Sequence, residues 1–399
     1  MLANRPIADY RTSPDCRSKA IAVDFPRIET LSDVAPHVSY ERGFVVARRG
    51  DHTVVDYVHT VSDTFSDAIS LECRGLKFDR DGRLIGRPFH KFFNLGERQP
   101  VEAVDWSAPH RIHAKLDGSM IHPVLLDGAL RFMTRMGETE QSARALRHAG
   151  APEFDISRHL VEAGITPIFE FTAPENRIVL AYDRPQWTLL AAREMVSGLY
   201  LPHGEIERLA RRFGVALVED HGTVDDAAEF VARVRAATGI EGYVLAFEDG
   251  HRLKLKTEAY VLRHKALSLV AFEKNVLGWI CAGSVDDIVP LLPEAVADRV
   301  LDYRDQIGRG VAALAAEIEG FVAAHRDLPR KEFAARAVAT FDPRLRGLAF
   351  SVLDGKDGRT LLLDLLAAAS QSEPRVSAVR DLFGMHWSLQ GLSLPDLEA

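Results

Sequence analysis

Three Asp-Gly pairs set between strand-like runs constrain the first two thirds of this chain more than any other feature. They lie at Asp81-Gly82 in LKFDRDGRLIGRPF, at Asp127-Gly128 in HPVLLDGALRFMT and at Asp249-Gly250 in YVLAFEDGHRLKLK. Each supplies the positive φ that a tight hairpin requires, so antiparallel sheet is expected. Helical stretches are interleaved at 139–149, 204–213 and 225–237, the last opening on Asp225 and Asp226 as N-terminal charges. From about Glu258 the pattern changes. Segments 258–280, 290–325, 329–340 and 359–370 place apolar residues three and four apart, and Pro290, Pro293, Pro329 and Pro343 punctuate them. The expected fold class is therefore α+β, an antiparallel-sheet domain over residues 1–262 followed by an all-helical domain over 263–399.

A length of 399 residues suits two domains, and 47% hydrophobic with 27% charged residues is a globular balance. No apolar stretch approaches the roughly 20 residues that span a bilayer, so no membrane association is expected. The first residues, MLANRPIADYRTSPDC, have neither an apolar core nor a small-residue cleavage site, which argues against a secretory leader. Cys16, Cys73 and Cys281 are far apart and in no metal-ligand spacing, so reduced thiols in a cytoplasmic protein are expected. The net charge of −8 excludes a chain that is basic all over. Up to Lys265 there are 35 basic and 38 acidic residues, and after it 14 and 19. A nucleic-acid footprint would have to be a local patch.

The central chemical signal is KLDGS, Lys115 to Ser119, between the strand-like stretches RIHA and MIHPVLL. A Lys that closes a strand and is followed by Asp and Gly can present its amine in a cleft, with Gly118 letting a nucleotide approach the backbone. The amine is a poor nucleophile until its surroundings deprotonate it. Alone the string is weak, since Lys-x-Asp-Gly arises by chance in roughly a tenth of chains this long and also suits a surface hairpin. Further along, IFEFTAPENRIVLAY holds Glu170 inside an apolar strand, facing outward or kept for a cation. Glu241 and Gly242 open EGYVLAF. Lys254 and Lys256 follow, two apart and hence on one strand face, where an anion would relieve their repulsion. The competing reading of that pair is a solvated edge strand.

Lys-x-Asp-Gly, a strand Glu, Glu-Gly and Lys-x-Lys in this order resemble the covalent nucleotidyltransferases: ATP-dependent DNA ligases, RNA ligases and mRNA capping enzymes. LECRGLKFD, RPFHKFFNLGE, KLDGS, APENRIVLAY and KLKTEAY together resemble the bacteriophage-type RNA ligase 1 family over roughly residues 40–265. The resemblance implies a nucleotidyltransferase domain and Lys115 as the nucleophile that becomes lysyl-AMP. It also implies Arg74, Lys91 and Phe93 holding ATP and its departing pyrophosphate, and Gly118 in the nucleotide pocket. Glu170 and Glu241 would serve the ribose and a hydrated Mg²⁺ or Mn²⁺. Lys254 and Lys256 would contact the α-phosphate, with Tyr260 nearby. The family's basic residue in the next hairpin is usually Lys; here FMTRMGE offers Arg135, which is not an equivalent point charge.

The implied activity is joining of 5′-phosphate and 3′-hydroxyl RNA ends, with tRNA broken in its anticodon loop as the expected partner. DNA-joining and capping relatives carry a small β-barrel after the Lys-x-Lys strand; here the sequence turns helical instead. A ligase-like RNA-binding protein without activity is disfavoured, because every charged motif residue is present. No GxxxxGK[ST] loop occurs, so RNA ends would be prepared by a separate end-healing enzyme. Residues 326–359 carry Arg326, Arg330, Lys331, Arg336, Arg344, Arg346, Lys356 and Arg359 against five acids, a stretch of net +3 in a domain of net −5. It is the candidate RNA contact, against the plainer reading of a solvated helical face.

Overall fold

A computed structural model describes residues 25–392. The chain divides into two compact units, one of residues 1–176 with Tyr182–Thr257, the other Arg177–Ala181 with Glu258–Ala399. Cys16 lies outside the described residues.

Among its described residues the first unit holds thirteen strands in three sheets. They are β1 (Phe44–Arg49), β2 (His52–Tyr57), β3 (Leu76–Asp79), β4 (Leu84–Gly86), β5 (Phe93–Asn94), β6 (His110–Lys115), β7 (Ser119–Leu126), β8 (Ala129–Met133), β9 (Ile165–Thr172), β10 (Gln186–Glu194), β11 (Ala216–Leu217), β12 (Gly242–Phe247) and β13 (Arg252–Lys256). One sheet has the order β1-β2-β3-β4, a second β11-β10-β9-β7-β8 and a third β5-β13-β12-β6. All pairings are antiparallel except β10 with β11 and β13 with β5. The Asp-Gly pairs sit at the β3–β4, β7–β8 and β12–β13 turns. Between β7 and β8 the last pair is Leu126 with Ala129, and both Asp127 (φ 49°) and Gly128 (φ 76°) take the positive φ of a two-residue turn.

The helices Glu140–Leu146, Ala151–Glu162, His203–Phe213 and Ala227–Ala236 flank the sheets. Asp226 is the N-cap of the last, its carboxylate accepting from the Glu229 amide at 2.9 Å. The helix expected over 139–149 stops at Leu146, and a second begins at Ala151 with Pro152 in its first turn. Glu72, Arg87 and Arg193 form a buried ionic knot. Glu72 takes Arg193 through both oxygens, each at 2.7 Å, and Arg87 Nε at 3.1 Å.

The second unit is helical: no strand occurs among its described residues, so a β-barrel does not follow Lys256. Its principal helices are Glu258–Val270, Glu273–Ala282, Glu294–His325, Arg330–Thr340, Pro343–Leu353, Gly358–Ala369 and Glu373–Phe383. They bury Val300, Tyr303, Ile318, Phe333, Leu362 and Val376 in one core. The segment expected as one helix over 258–280 is two. Phe272 is the extended residue before the second, and Asn275 Nδ2 donates to the Leu269 carbonyl at 2.9 Å, satisfying an acceptor that the first leaves open. Among the described residues no helix is long and apolar enough to cross a membrane.

Candidate active site

Lys115 is the last residue of β6 and Ser119 the first of β7, so residues 116–118 carry the chain from one sheet to another. In register, Gly242 of β12 lies opposite Lys115 on one side and opposite Lys256 of β13 on the other. Three adjacent strands thereby deliver Lys115, Glu241 and Lys256 to one place. Lys115 Nζ lies 2.8 Å, and Lys256 Nζ 3.0 Å, from the same Glu241 oxygen, Oε1. Glu241 is buried, and the Thr257 amide donates to its carbonyl at 3.0 Å. Gly242 has φ 142°, and a Cβ there would stand 2.0 Å from the Leu255 carbonyl oxygen. Only glycine lets β12 and β13 approach so closely.

The second carboxylate comes from β9. Every residue of that strand is buried, and Glu170 turns an oxygen to the Gly118 amide at 3.1 Å. It is not a solvated outward residue. Gly118 packs so tightly that a Cβ would lie 2.3 Å from the Phe171 carbonyl oxygen. Asp117 is buried, and its amide donates to the Tyr182 hydroxyl at 2.9 Å. KLDGS is thus a packed crossing between sheets rather than a surface hairpin. Asn176 fastens its far end, donating to Phe171 O at 2.9 Å and to Ser119 Oγ at 3.1 Å.

The electrostatics follow from this crowding. Burial presses the Lys115 amine down, but Glu241 and then Glu170 overcome it and hold the amine above its usual range. Burial also pushes Glu170 up to about 8, with Lys115 opposing and Glu241 adding to the rise. Lys254 is driven well below the ordinary lysine range by burial and by Arg74, Lys115, Lys91 and Lys256. Its Nζ stands 4.7 Å from the Phe92 ring centroid. Strand β13 is paired with β12 and, at Leu253 and Lys254, with β5. The lysine pair is therefore not an edge-strand device.

The other expected residues fall around this core with one exception. Lys91 Nζ lies 5.0 Å from the ring of Tyr57 and 5.5 Å from that of Phe93, and Arg98 covers Phe93 at 4.3 Å. Arg135 stands 4.4 Å over the same Tyr57 ring, its Nε 3.0 Å from Asp56 Oδ2. Arg74 sits 3.5 Å from Met120 Sδ. Tyr260 belongs to the second unit, buried in its core with its ring stacked on His264. Tyr57 and Tyr182 escape a reading of the sequence. Tyr182 ends the quoted IVLAY run, and its hydroxyl gave no signal there. Tyr57 is one aromatic in an ordinary alternating strand.

Among the described residues no three His, Cys, Asp or Glu side chains gather to hold a metal ion. Two buried carboxylates beside a cluster of cations instead match an ion that keeps most of its coordination as water and phosphate oxygen. Mg²⁺ and Mn²⁺ accept that donor set.

Residues 72–263 match a family model described as RNA ligase, of the T4 type 1 kind. Over those residues, just under half of its length, the chain resembles that family. Similar proteins include a Thermovibrio ammonificans protein named "Putative RNA ligase", 31% identical over 251 residues, 60% of this chain and 65% of that protein. RNA ligase 1 of bacteriophage TS2126 is 28% identical over 358 residues, 84% of this chain and 88% of the phage protein. The chain thus spans about two thirds of the bacterial relative and most of the phage one. Among solved structures, an archaeal ATP-dependent RNA ligase aligns with TM-score 0.44 and 16% identity, covering 87% of this chain and 78% of that one. A Naegleria gruberi RNA ligase variant with ATP and Mn aligns with TM-score 0.35 and 18% identity, over 44% of this chain and 57% of that one.

Proposed function

We propose that this protein joins RNA ends at the expense of ATP through a covalent AMP adduct on Lys115. The observation that carries the reading is the single Glu241 oxygen shared by Lys115 and Lys256 across three register-matched strands. It sets the Lys115 amine beside a second cation, and Lys254 feels the charges of Arg74, Lys115, Lys91 and Lys256 together.

In the first step the Lys115 nitrogen attacks the α-phosphorus of ATP, the bond to the β-phosphate oxygen breaks, pyrophosphate leaves and the amine proton passes to water. An oxygen of the RNA 5′-phosphate then attacks the AMP phosphorus, breaking the nitrogen–phosphorus bond and returning Lys115. Finally the 3′-hydroxyl of the other end attacks the activated 5′-phosphate, AMP departs and the hydroxyl proton goes to solvent. Lys254 and Lys256 face the α-phosphate and offset the charge that grows on it. Arg74, Lys91 and Arg135 hold the departing pyrophosphate, and Phe93 and Gly118 bound the nucleotide pocket.

Because Glu241 and Glu170 favour the charged form of Lys115, positive charge must arrive with the nucleotide for the amine to react. A Mg²⁺ or Mn²⁺ ion held through water by Glu170 and Glu241 would supply that charge and polarise the phosphate. Residues 1–262 carry this chemistry; residues 263–399 serve recognition of RNA, with tRNA broken in its anticodon loop as the substrate. The ends come from a separate healing enzyme, and the setting is the cytoplasm, in keeping with the buried thiol of Cys73.

The test is a 5′-phosphate, 3′-hydroxyl RNA incubated with ATP and Mg²⁺. Circular or joined product from the wild type, lost in Glu241→Ala, supports the proposal. Equal joining by Glu241→Ala removes Glu241 from the mechanism, and adduct formation without any joining would leave a nucleotidyltransferase with another acceptor.

A further inference from the structure

Lys77 is wholly buried in β3, an unusual place for a lysine, and the sites above do not use it. Its ammonium donates to two backbone carbonyls, Gly75 O at 2.7 Å and Arg135 O at 2.8 Å. These acceptors belong to segments 58 residues or more apart in sequence, one beside Arg74 and the other in the turn after β8. The contact between those segments is close by construction. Gly75 has φ 89°, and a Cβ there would lie 2.9 Å from both Arg135 Cγ and Arg135 O. Thr134 and Gly137 exchange two backbone hydrogen bonds at 2.9 and 3.1 Å, so Arg135 stands on the tip of a tight turn.

From that tip the Arg135 side chain is directed by two further contacts. Asp56, buried in β2, meets its Nε at 3.0 Å, and the Tyr57 ring lies beneath its guanidinium at 4.4 Å. The same ring lies 5.0 Å from Lys91 Nζ. Main chain and side chain of Arg135 are thus fixed by separate groups, Lys77 for the first and Asp56 with Tyr57 for the second. The buried ammonium bonded to its carbonyl is a charge-assisted, long-range tie at the tip of the turn. Burial pushes the Lys77 amine down to about 7, with Asp56 pulling the other way.

We propose that Lys77 is a positioning residue for ATP binding, stapling the Arg135 turn to the Arg74–Gly75 segment so that both guanidinium groups address the polyphosphate together. The inference rests on the proposed function, since it gives the two arginines that task. Loss of the staple leaves the arginines present but uncoupled, and the cost falls on ATP use rather than on later steps.

The test is a cycle of Lys77→Met, Arg135→Ala and the double variant, read as kcat/KM of AMP-lysine formation with ATP and as thermal midpoint. Lys77→Met is expected to lower kcat/KM about tenfold, chiefly through KM, and to change it less than about twofold once Arg135 is already alanine. A purely structural lysine would instead give the same loss in both backgrounds, and that result overturns the proposal. Transfer of AMP from preformed enzyme adduct to RNA should be unchanged in Lys77→Met; a matching loss there also overturns it. Should Lys77→Met not yield folded protein, Lys77→Gln takes its place, keeping two N–H donors without the charge. If the wild type forms no adduct at all, the proposed function itself has failed, which the cycle distinguishes from independent effects of Lys77 and Arg135.

Discussion

Replacing Glu241 by Gln should make Lys115 more reactive as a free amine and slower as an enzyme nucleophile. The structure gives the size of the first effect. Lys115 Nζ is 2.8 Å from Glu241 Oε1, and its side chain keeps 21% of its exposure. With the carboxylate charge spread over two oxygens, the effective separation is about 3.5 Å, and an effective dielectric of about 20 gives roughly 5 kcal/mol. Solvent at the exposed part of Lys115 reduces this to about 2–3 kcal/mol. A glutamine keeps an oxygen acceptor in place while removing the charge, so the lysine loses its stabilisation but not its neighbour. The assay is pH-dependent acetylation of the folded protein, followed at the Lys115 peptide by mass spectrometry. The midpoint for Lys115 should fall in Glu241→Gln, because the charge that raises it is gone, while AMP transfer from ATP slows. An unchanged or raised midpoint would refute the argument that Glu241 sets the charge of Lys115.

Three other expectations follow from single features. Glu72→Gln breaks a wholly buried ion pair with Arg87 and Arg193 and should cost about 3–5 kcal/mol in a denaturant titration. Although burial alone raises Glu72, the two arginines depress it to about 2, below its unfolded value. Its stabilisation is therefore present above about pH 4.5 and lost as pH falls toward 2, a loss that the variant should not show in acid titration. Gly118→Ala places a Cβ 2.3 Å from Phe171 O and should lower stability by about 1–3 kcal/mol, with AMP-lysine formation falling at least about tenfold. In the helical unit Arg330 pairs with Asp354 and Arg344 with Asp342, while Lys331, Arg336 and Lys356 are exposed. Reversing the charge of those three should weaken tRNA sealing and its salt sensitivity and spare self-adenylylation; unchanged sealing in a salt series would remove residues 326–359 as an RNA contact.

The antiparallel first unit was legible because hairpin chemistry is local: two residues with positive φ, such as Asp127 and Gly128, announce a turn without reference to anything distant. Lys254 and Lys256 were legible for the same reason, since alternation along one strand puts them on one face. The ambiguity at Glu170 was not local. Alternation allowed an outward carboxylate, but β9 is central in its sheet and buried along its whole length, which no single-strand pattern reveals. The sharing of Glu241 by Lys115 and Lys256 depends on the register of three strands, one of which, β6, lies more than a hundred residues before the other two. Lys77 and Asp56 look like the charged residues of two ordinary half-solvated strands and are instead fully buried. In the helices, periodicity found the long Glu294–His325 helix, yet it carried 258–280 across the break at Phe272. Side-chain capping by Asn275 acts there against an unbroken apolar rhythm.

The central claim is that Lys115 is the residue that takes AMP. The direct measurement is the intact mass of the protein after incubation with ATP and Mg²⁺ in the absence of RNA, followed by peptide mapping. One AMP per chain, located on Lys115 and lost in Lys115→Ala, is the predicted result. An adduct on another residue, or none on protein shown to be free of AMP beforehand, would contradict it.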